Sequence, residues 1–339
     1  LRPNSKTTMR ILITGASGFI GSFIVEEALA KGMETWAAVR KSSSRQYLQD
    51  DRIHLIELNL SDKETLKQQL SGHSFDYVVH AAGATKCLRE QDFFTINTEG
   101  TRHLVEALLE LGMPLKKFVY LSSLSVYGAI KEGQPYEEIT EQDTPRPNTA
   151  YGQSKLKAER LLESYGTKLP YVILRPTGVY GPRERDYYLM AKSIQRHVDF
   201  AVGYKRQDIT FVYVADVVQA VFLALEHGRT GRKYFLTDGN VYQSSTFSDL
   251  LRTALGNPWW IRITAPLWLL HTVTSVNGAL TKITGKPSTL NNDKYHILKQ
   301  RNWRCDIRPA MEELGYQPRF NLDQGVKLSV AWYKKHNWL

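Results

Sequence analysis

Tyr151 and Lys155 stand four residues apart in a stretch with helical spacing, which sets a phenol and an ammonium one above the other on one helix face. A cation beside a tyrosine favours phenolate. The expectation is therefore a hydroxyl lowered from its ordinary value of about 10 toward neutrality, able to give and take a proton. This spacing is common on helix surfaces, so the rest of the chain must decide whether it is chemistry. Ser122 and Ser123 close the strand-like run Phe118 to Ser122. Carboxyl ends of strands are where open α/β sheets place their ligands, and a hydroxyl there can donate to a substrate oxygen. Ser123 is the stronger candidate for that role, Ser122 for a hydrogen-bonded turn.

The second feature that could do chemistry is a glycine triplet. In Thr14-Gly15-Ala16-Ser17-Gly18-Phe19-Ile20-Gly21 the glycines recur every third residue where a strand-like run gives way to a helical one. Gly15 permits a tight turn, Gly18 lets the backbone approach a pyrophosphate, and Gly21 lets the helix pack against the strand. The free amides and the positive end of the helix would then hold the phosphates. Glycine triplets alone are weak; the strand before and the helix after make this one a dinucleotide turn.

The elements that must position these groups alternate. Strand-like runs at Arg10 to Thr14, Thr35 to Val39, Ile53 to Glu57, Tyr77 to His80, Phe118 to Ser122 and Tyr171 to Leu174 are separated by helical patterns. The helices are expected at Phe19 to Lys31, Asp62 to Leu70, Thr95 to Leu111 and Thr149 to Tyr165. That rhythm predicts βα units and a doubly wound, Rossmann-type parallel sheet. After Arg175 it breaks, and Pro176 opens a second module. The Val-rich stretch Ile209 to Leu225 reads as a buried strand entering a helix that returns to the first module, so the substrate module is discontinuous. The expected division is 9–175 with 207–237 for the dinucleotide, and 176–206 with 238–339 for the substrate. No internal repeat is present.

Bulk properties exclude several classes. The 339 residues are 42% hydrophobic and 23% charged, ordinary globular composition with ample length for a core. The net charge of +10 comes from basic residues scattered singly, which reads as a solvated surface and not as a nucleic-acid footprint. Cys87 and Cys305 are the two cysteines, too few for a disulfide framework or a four-thiolate zinc site; no metal is expected, and a reducing, cytoplasmic compartment is. Residues 1–8 lack the apolar core of a signal peptide and read as a leader. The most apolar later stretch, Trp259 to Val273, is interrupted by Arg262, Pro266 and His271 and is shorter than the roughly 20 residues that span a bilayer.

Together Thr14 to Gly21, His80-Ala81-Ala82-Gly83, Asn97, Leu121 to Gly128, Tyr151-Gly152-Gln153-Ser154-Lys155 and Arg175 to Pro182 resemble the extended short-chain dehydrogenase/reductases, the NAD-dependent epimerase/dehydratase family. Glu313-Leu314-Gly315-Tyr316 with Trp332 is similar to that family's C-terminal ending. The resemblance implies a smaller C-terminal domain over the carboxyl edge of the sheet. It implies Tyr151 as general acid/base, Lys155 on the nicotinamide ribose, and Ser123 polarising the reacting oxygen. Cofactor contacts fall on Ser17, Phe19 and Ile20 at the pyrophosphate, and on Asn59 and Leu60 at the adenine, where Asn59 departs from the usual aspartate. Ala81, Ala82, Gly83, Thr85, Asn97 and Thr177 fall beside the ribose or nicotinamide. Substrate contacts are expected at Ser125 and Arg183. A homodimer through the helices Thr95 to Leu111 and Thr149 to Tyr165 is also implied.

Within the family the pattern is closest to the dihydroflavonol reductase and 3β-hydroxysteroid dehydrogenase-like branch. That favours a ketone/alcohol oxidoreductase acting on a small molecule. A nucleotide-sugar epimerase or dehydratase is the alternative, and a non-catalytic dinucleotide-binding protein a second. Nucleotide-sugar enzymes of the family often carry an arginine where Ile209 stands here, although Arg183, Lys205 and Arg206 could compensate. Pro258 to Leu270 is aromatic and apolar, which suits a hydrophobic substrate, a core or an interface. NAD-specific members place an acidic residue at the position of Val39. Here Arg40, Lys41, Ser42, Ser43, Ser44 and Arg45 follow it, so NADP(H) is favoured, with NAD(H) possible.

Overall fold

The β-branched runs of the first half form a parallel sheet because the central ones are apolar on both faces and helices return the chain between most of them, the run 34–39 passing to 54–57 without one. In the computed structural model, which describes residues 8–274 and 292–339, β1 (Arg10–Thr14), β2 (Glu34–Val39), β3 (His54–Glu57), β4 (Tyr77–His80), β5 (Lys117–Leu121) and β6 (Tyr171–Pro176) lie in one seven-stranded sheet. The seventh strand is β11 (Lys233–Leu236), and the order is β11-β6-β5-β4-β1-β2-β3 with every pairing parallel. Order reverses between β1 and β4, the crevice at which such sheets take ligands.

Helices α1 (Phe19–Ala30), α2 (Lys63–Leu70), α3 (Glu90–Phe93), α4 (Gly100–Glu110) and α5 (Ala150–Ser164) cross over between strands. Strand alternation splits the core between the two faces. Ile11 and Ile13 join Val25 and Ala28 of α1, while Leu12 joins Leu66, Leu104 and Leu162 of α2, α4 and α5. The helix expected from Thr95 to Leu111 differs in its first turn. Phe94–Glu99 is wound as a π-helical turn before α4, and the Thr101 hydroxyl donates to the Asn97 carbonyl at 2.6 Å inside it.

Beyond β6 come β7 (Gly178–Tyr180), α6 (Arg185–Gln195), β8 (Val198–Val202), β9 (Asp208–Ile209), β10 (Phe211–Tyr213) and α7 (Val214–His227). The Val-rich strand expected to rejoin the first module does so only in part. β10 pairs with β7 in a separate two-stranded sheet, while α7 packs on α1 and β11 completes the main sheet. After β11 lie β12 (Tyr242–Gln243), α8 (Thr246–Ala254), β13 (Ile261–Ala265), and the helices Asn292–Lys299 and Leu322–Lys335. A third apolar cluster joins Tyr180, Ile194, Phe211, Phe247, Leu251 and Val326. No helix of the described residues is long and apolar enough to cross a membrane. Most of the leader expected at residues 1–8 lies outside the described residues.

Candidate active site

At the end of β1 the chain turns through Gly15 with φ +69°, and a Cβ there would stand 2.7 Å from the backbone of Ala81 and Ala82. A Cβ on Gly21 would collide with the Gly15 carbonyl oxygen, so the first turn of α1 can lie against the turn only as glycine. The Gly18 amide donates to Gly15 O at 2.9 Å, and Gly18 caps α1 without a side-chain hydrogen bond. Phe19 and Ile20, both half-buried, thus open a helix whose first amides face no capping side chain. Such an end is an anion site by construction. Ser17 is half-buried in the same turn.

Strand β5 and helix α5 bring the candidate catalytic groups together. Ser123 is extended (φ −160°) just past β5; its Oγ donates to Ser125 Oγ at 3.1 Å and accepts the Ser125 amide at 3.1 Å. Tyr151 lies near enough to Ser123 for that hydroxyl to lower its phenol, and its ring stands edge-on to Phe93 at 6.1 Å. Lys155 is buried one turn further along α5. Its ammonium donates to the Leu121 carbonyl at 2.8 Å and lies 4.7 Å from the Tyr120 ring centroid. A Cβ on Gly83 would stand 3.2 Å from Lys155 Nζ and 3.1 Å from Asn97 Oδ1, so the ends of β4 and α5 close around one small space.

The electrostatics correct one expectation. Lys155 does not lower Tyr151: burial pushes the phenol up to about 12, against the Ser123 hydroxyl that lowers it. Burial also pushes the Lys155 ammonium down to about 8, against the Glu159 carboxylate that raises it. The amine is turned to Leu121 O, and desolvation outweighs its influence on the phenol.

A buried polar chain stands behind this space. His80 Nδ1 is 2.6 Å from Thr14 Oγ1 and its Nε2 is 2.9 Å from Thr101 Oγ1. Burial, then the Lys155 charge, holds the imidazole down to about 3, so it is neutral. Asn97 accepts the Ala84 amide at 2.7 Å and donates to Ala84 O at 3.1 Å and Ser154 Oγ at 2.9 Å, locking the loop after β4 to α5. Ser122 is held differently from Ser123: its hydroxyl donates to Glu159 at 2.5 Å, and Glu159 forms a buried ion pair with Arg175.

The N-terminus of α5 is capped twice. Thr149 Oγ1 accepts the Gly152 amide at 3.0 Å, and Asp293, from far along the chain, accepts the Ala150 and Tyr151 amides at 3.0 and 3.1 Å. Thr149 is the type of residue that announces a cap in sequence. Asp293 carries no such signal, because its partners are more than 140 residues away and the contact exists only in the fold.

Other sequence candidates lie at varied distances from this centre. Ala81 and Ala82 touch the Gly15 turn, and Thr85 is exposed on the following loop. Asn59 is exposed, its Oδ1 accepting from the Ser61 amide and hydroxyl at 3.1 and 2.7 Å, and half-buried Leu60 accepts from His103 at 2.9 Å. Thr177 hangs on Leu236 O, its amide 3.2 Å away. Arg40 is exposed, with its amide on Ser43 Oγ at 3.0 Å. Arg183, expected beside the substrate, is turned onto α1 instead. It donates to Ser22 and Glu26 at 2.9 and 2.5 Å and is sandwiched between the Phe23 and Tyr47 rings. An ion pair and two ring faces hold its guanidinium there.

A glycine cradle at a strand–helix switch, with a Ser–Tyr–Lys group beside it, defines a Rossmann-type dinucleotide enzyme site by its geometry. Residues 11–237 match the NAD dependent epimerase/dehydratase family, and this chain belongs to that family. It is 26% identical to the mouse dTDP-D-glucose 4,6-dehydratase, over 99% of this chain and 92% of that one. It is 27% identical to a 4-hydroxy-2-methyl-3-oxo-4-farnesyl-3,4-dihydroquinoline-1-oxide ketoreductase of Stigmatella aurantiaca, over 94% and 95%. Among solved structures, the UDP-glucose 4-epimerase of Thermotoga maritima with UDP-glucose superposes with a TM-score of 0.78 at 25% identity, over 97% of this chain and all (100%) of that one. The UDP-glucose 4-epimerase of Thermus thermophilus in complex with NAD shares the fold, with a TM-score of 0.77 at 24% identity over 96% and 99%.

Proposed function

We propose that this chain is an oxidoreductase that moves a hydride between a nicotinamide dinucleotide and a secondary alcohol or ketone carbon, with Tyr151 as the general acid/base. The observation that carries the reading is the meeting of Ser123 and Tyr151 at the carboxyl end of β5, with Lys155 beside Gly83. The turn at Gly15, Gly18 and Gly21 suits a pyrophosphate: glycine at 15 lets the turn lie against Ala81 and Ala82, glycine at 21 lets the helix lie against the turn, and the first amides of α1 meet no capping side chain. When bound, the dinucleotide supplies or accepts the hydride.

The rest of the chemistry belongs to the chain. Ser123 donates to the reacting oxygen and holds it against Tyr151. As the carbonyl carbon gains the hydride, the Tyr151 hydroxyl proton passes to the oxygen, leaving a tyrosinate that solvent reprotonates. A phenol held up at about 12 is protonated at neutral pH and can donate its proton. Lys155 Nζ, next to Gly83 and Asn97, is placed to donate to a ribose hydroxyl.

The ketoreductase relative supports an apolar carbonyl substrate, and the nucleotide-sugar relatives support the alternative. Two of the three cationic substitutes for an arginine at Ile209 are occupied elsewhere, Arg206 by Asp208 at 2.8 Å and Arg183 by Glu26 at 2.5 Å, while Lys205 is exposed without an ion pair among the described residues. That favours the ketone. A non-catalytic role is disfavoured by the intact Ser123, Tyr151 and Lys155. Incubation with labelled NAD(P)H and a panel of apolar ketones and nucleotide sugars tests the reading. Net oxidation of cofactor with a ketone supports it. Epimerisation of a nucleotide sugar without net cofactor change overturns it.

The cofactor named for the solved relatives is NAD, so a preference for NADP(H) has no support from them and rests on Arg40 alone. The proposed division is 9–175 with 207–237 and 176–206 with 238–339; the third apolar cluster and the β7–β10 pair both join residues from its two sides. A homodimer through α4 and α5 and a cytoplasmic location, to which the unpaired Cys87 and Cys305 are suited, complete the reading. Sedimentation at micromolar concentration tests the dimer, a purely monomeric profile counting against it.

A further inference from the structure

Strands β8 and β13 pair in parallel with Ile261 opposite Val198, Arg262 opposite Asp199 and Ile263 opposite Phe200. Side chains alternate across such a ribbon, and here the alternation sorts chemistry. One face is polar, its charges paired with one another. Arg262 pairs with Asp199 at 2.5 Å, reaches Asp249 of α8 at 2.8 Å, and lies over the Trp260 ring. The other face is apolar and open to water: Phe200 is 66% exposed, Ile261 60% and Trp259, of the same parity, 64%. Just beyond the two strands, Tyr204 is 76% exposed and Trp268 70%. A two-stranded ribbon with one bare apolar face calls for a partner.

We propose that this face docks on an anionic bilayer surface. Two features select that partner. Tryptophan and tyrosine are the side chains that settle at the lipid–water boundary, with an apolar body and a polar edge. The face is also bordered by exposed cations: Arg196 caps α6 just before β8, and Lys205 follows Tyr204. Neither has an ion pair among the described residues, and the carboxylate nearest in the ribbon, Asp199, points to the opposite face, where Arg262 holds it. Lipid phosphates neutralise them. In this docking the ribbon lies on the membrane surface, and no helix of the described residues is long and apolar enough to cross it.

The docked face is tied to the candidate active site by short links. Gln207, past β8, donates to the carbonyls of Leu298 and Gln300 at 2.7 and 2.8 Å, and the helix Asn292–Lys299 holds Asp293 on the Tyr151 amide. An apolar substrate dissolved in the bilayer would be met by the same part of the chain.

Flotation of the full chain with vesicles tests the proposal, using phosphatidylcholine alone and equal parts phosphatidylcholine and phosphatidylglycerol, at low and high salt. The chain is expected to float with the anionic vesicles, more weakly in high salt and not with phosphatidylcholine alone. Arg196→Ala with Lys205→Ala should weaken binding on the order of thirtyfold, about fivefold for each cation lost. Phe200→Ser with Trp268→Ser should abolish it. Both double variants alter exposed side chains, and unchanged melting temperature and dinucleotide affinity show that they fold. Wild-type protein that stays unbound on anionic vesicles overturns the proposal, as does either variant floating as wild type does. A dimer that Phe200→Ser with Trp268→Ser converts to monomer also overturns it, because a second copy would then cover the face.

Discussion

The carboxylate of Asp293 accepts the backbone amides of Ala150 and Tyr151, so the helix that presents the candidate acid/base is capped by a residue from the C-terminal segment. A carboxylate on a helix N-terminus is stabilised by the free amides and by the helix dipole, at about 1 kcal/mol for such a cap. Removing it with Asp293→Ala should lower unfolding stability by about that amount, measured in denaturant. It should lower turnover of any substrate the wild type reduces, by loosening the Tyr151 position. Asp293→Asn keeps one acceptor oxygen and should recover part of both losses. A variant as stable and active as wild type would show that the cap holds nothing.

Tyr151→Phe should abolish turnover while leaving dinucleotide binding near wild type. The ring and its edge contact with Phe93 remain, and only the proton donor is lost. Loss of a positioned acid/base lowers rates by roughly 10² to 10⁴. Steady-state rates with a verified ketone, beside calorimetric cofactor affinity, check this. A Phe variant working at the wild-type rate would refute the assignment.

The parallel sheet was legible because period and spacing are local. Ile11, Leu12 and Ile13 announce a strand buried on both faces, and Gly15, Gly18 and Gly21 announce the turn that follows. What escaped the sequence was set by distance or by competition between forces. Asp293 meets Tyr151 only after the chain folds. Arg183 was free to reach a substrate in sequence terms, yet an ion pair with Glu26 and two flanking rings hold it on α1. The phenol's direction of shift was misread for a similar reason: four-residue spacing reports proximity to Lys155 but says nothing of burial, which dominates.

Lys155 should leave a signature in the pH dependence of stability. Its folded value of about 8 lies below the usual lysine value of about 10.4, so between these pH values the unfolded chain binds more protons than the folded one. Stability contributed by this residue therefore rises as pH climbs from about 8 to about 10.4, up to roughly 3 kcal/mol in all. Melting curves across that window, taken as wild type minus Lys155→Met, should show an upward slope. A flat difference would mean that the ammonium is not desolvated.

The cofactor preference comes down to Arg40. Val39 ends β2 where NAD-specific relatives place an acidic residue, and Arg40 follows with its side chain exposed and no ion pair among the described residues. The turn beneath it is closed by backbone and serine: the Arg40 amide donates to Ser43 Oγ at 3.0 Å, and the Ser43 amide returns to Arg40 O at 2.9 Å. That leaves the guanidinium unattached beside the strand end where an adenosine ribose would lie. A guanidinium grips a phosphate through charge-assisted bonds that an unphosphorylated ribose cannot match. Calorimetry with NADP⁺ and NAD⁺ should give tighter binding of NADP⁺ to the wild type. Arg40→Ala should cost NADP⁺ roughly tenfold or more while leaving NAD⁺ unchanged. Equal affinities that the substitution leaves equal would show that Arg40 does not read the 2′-phosphate.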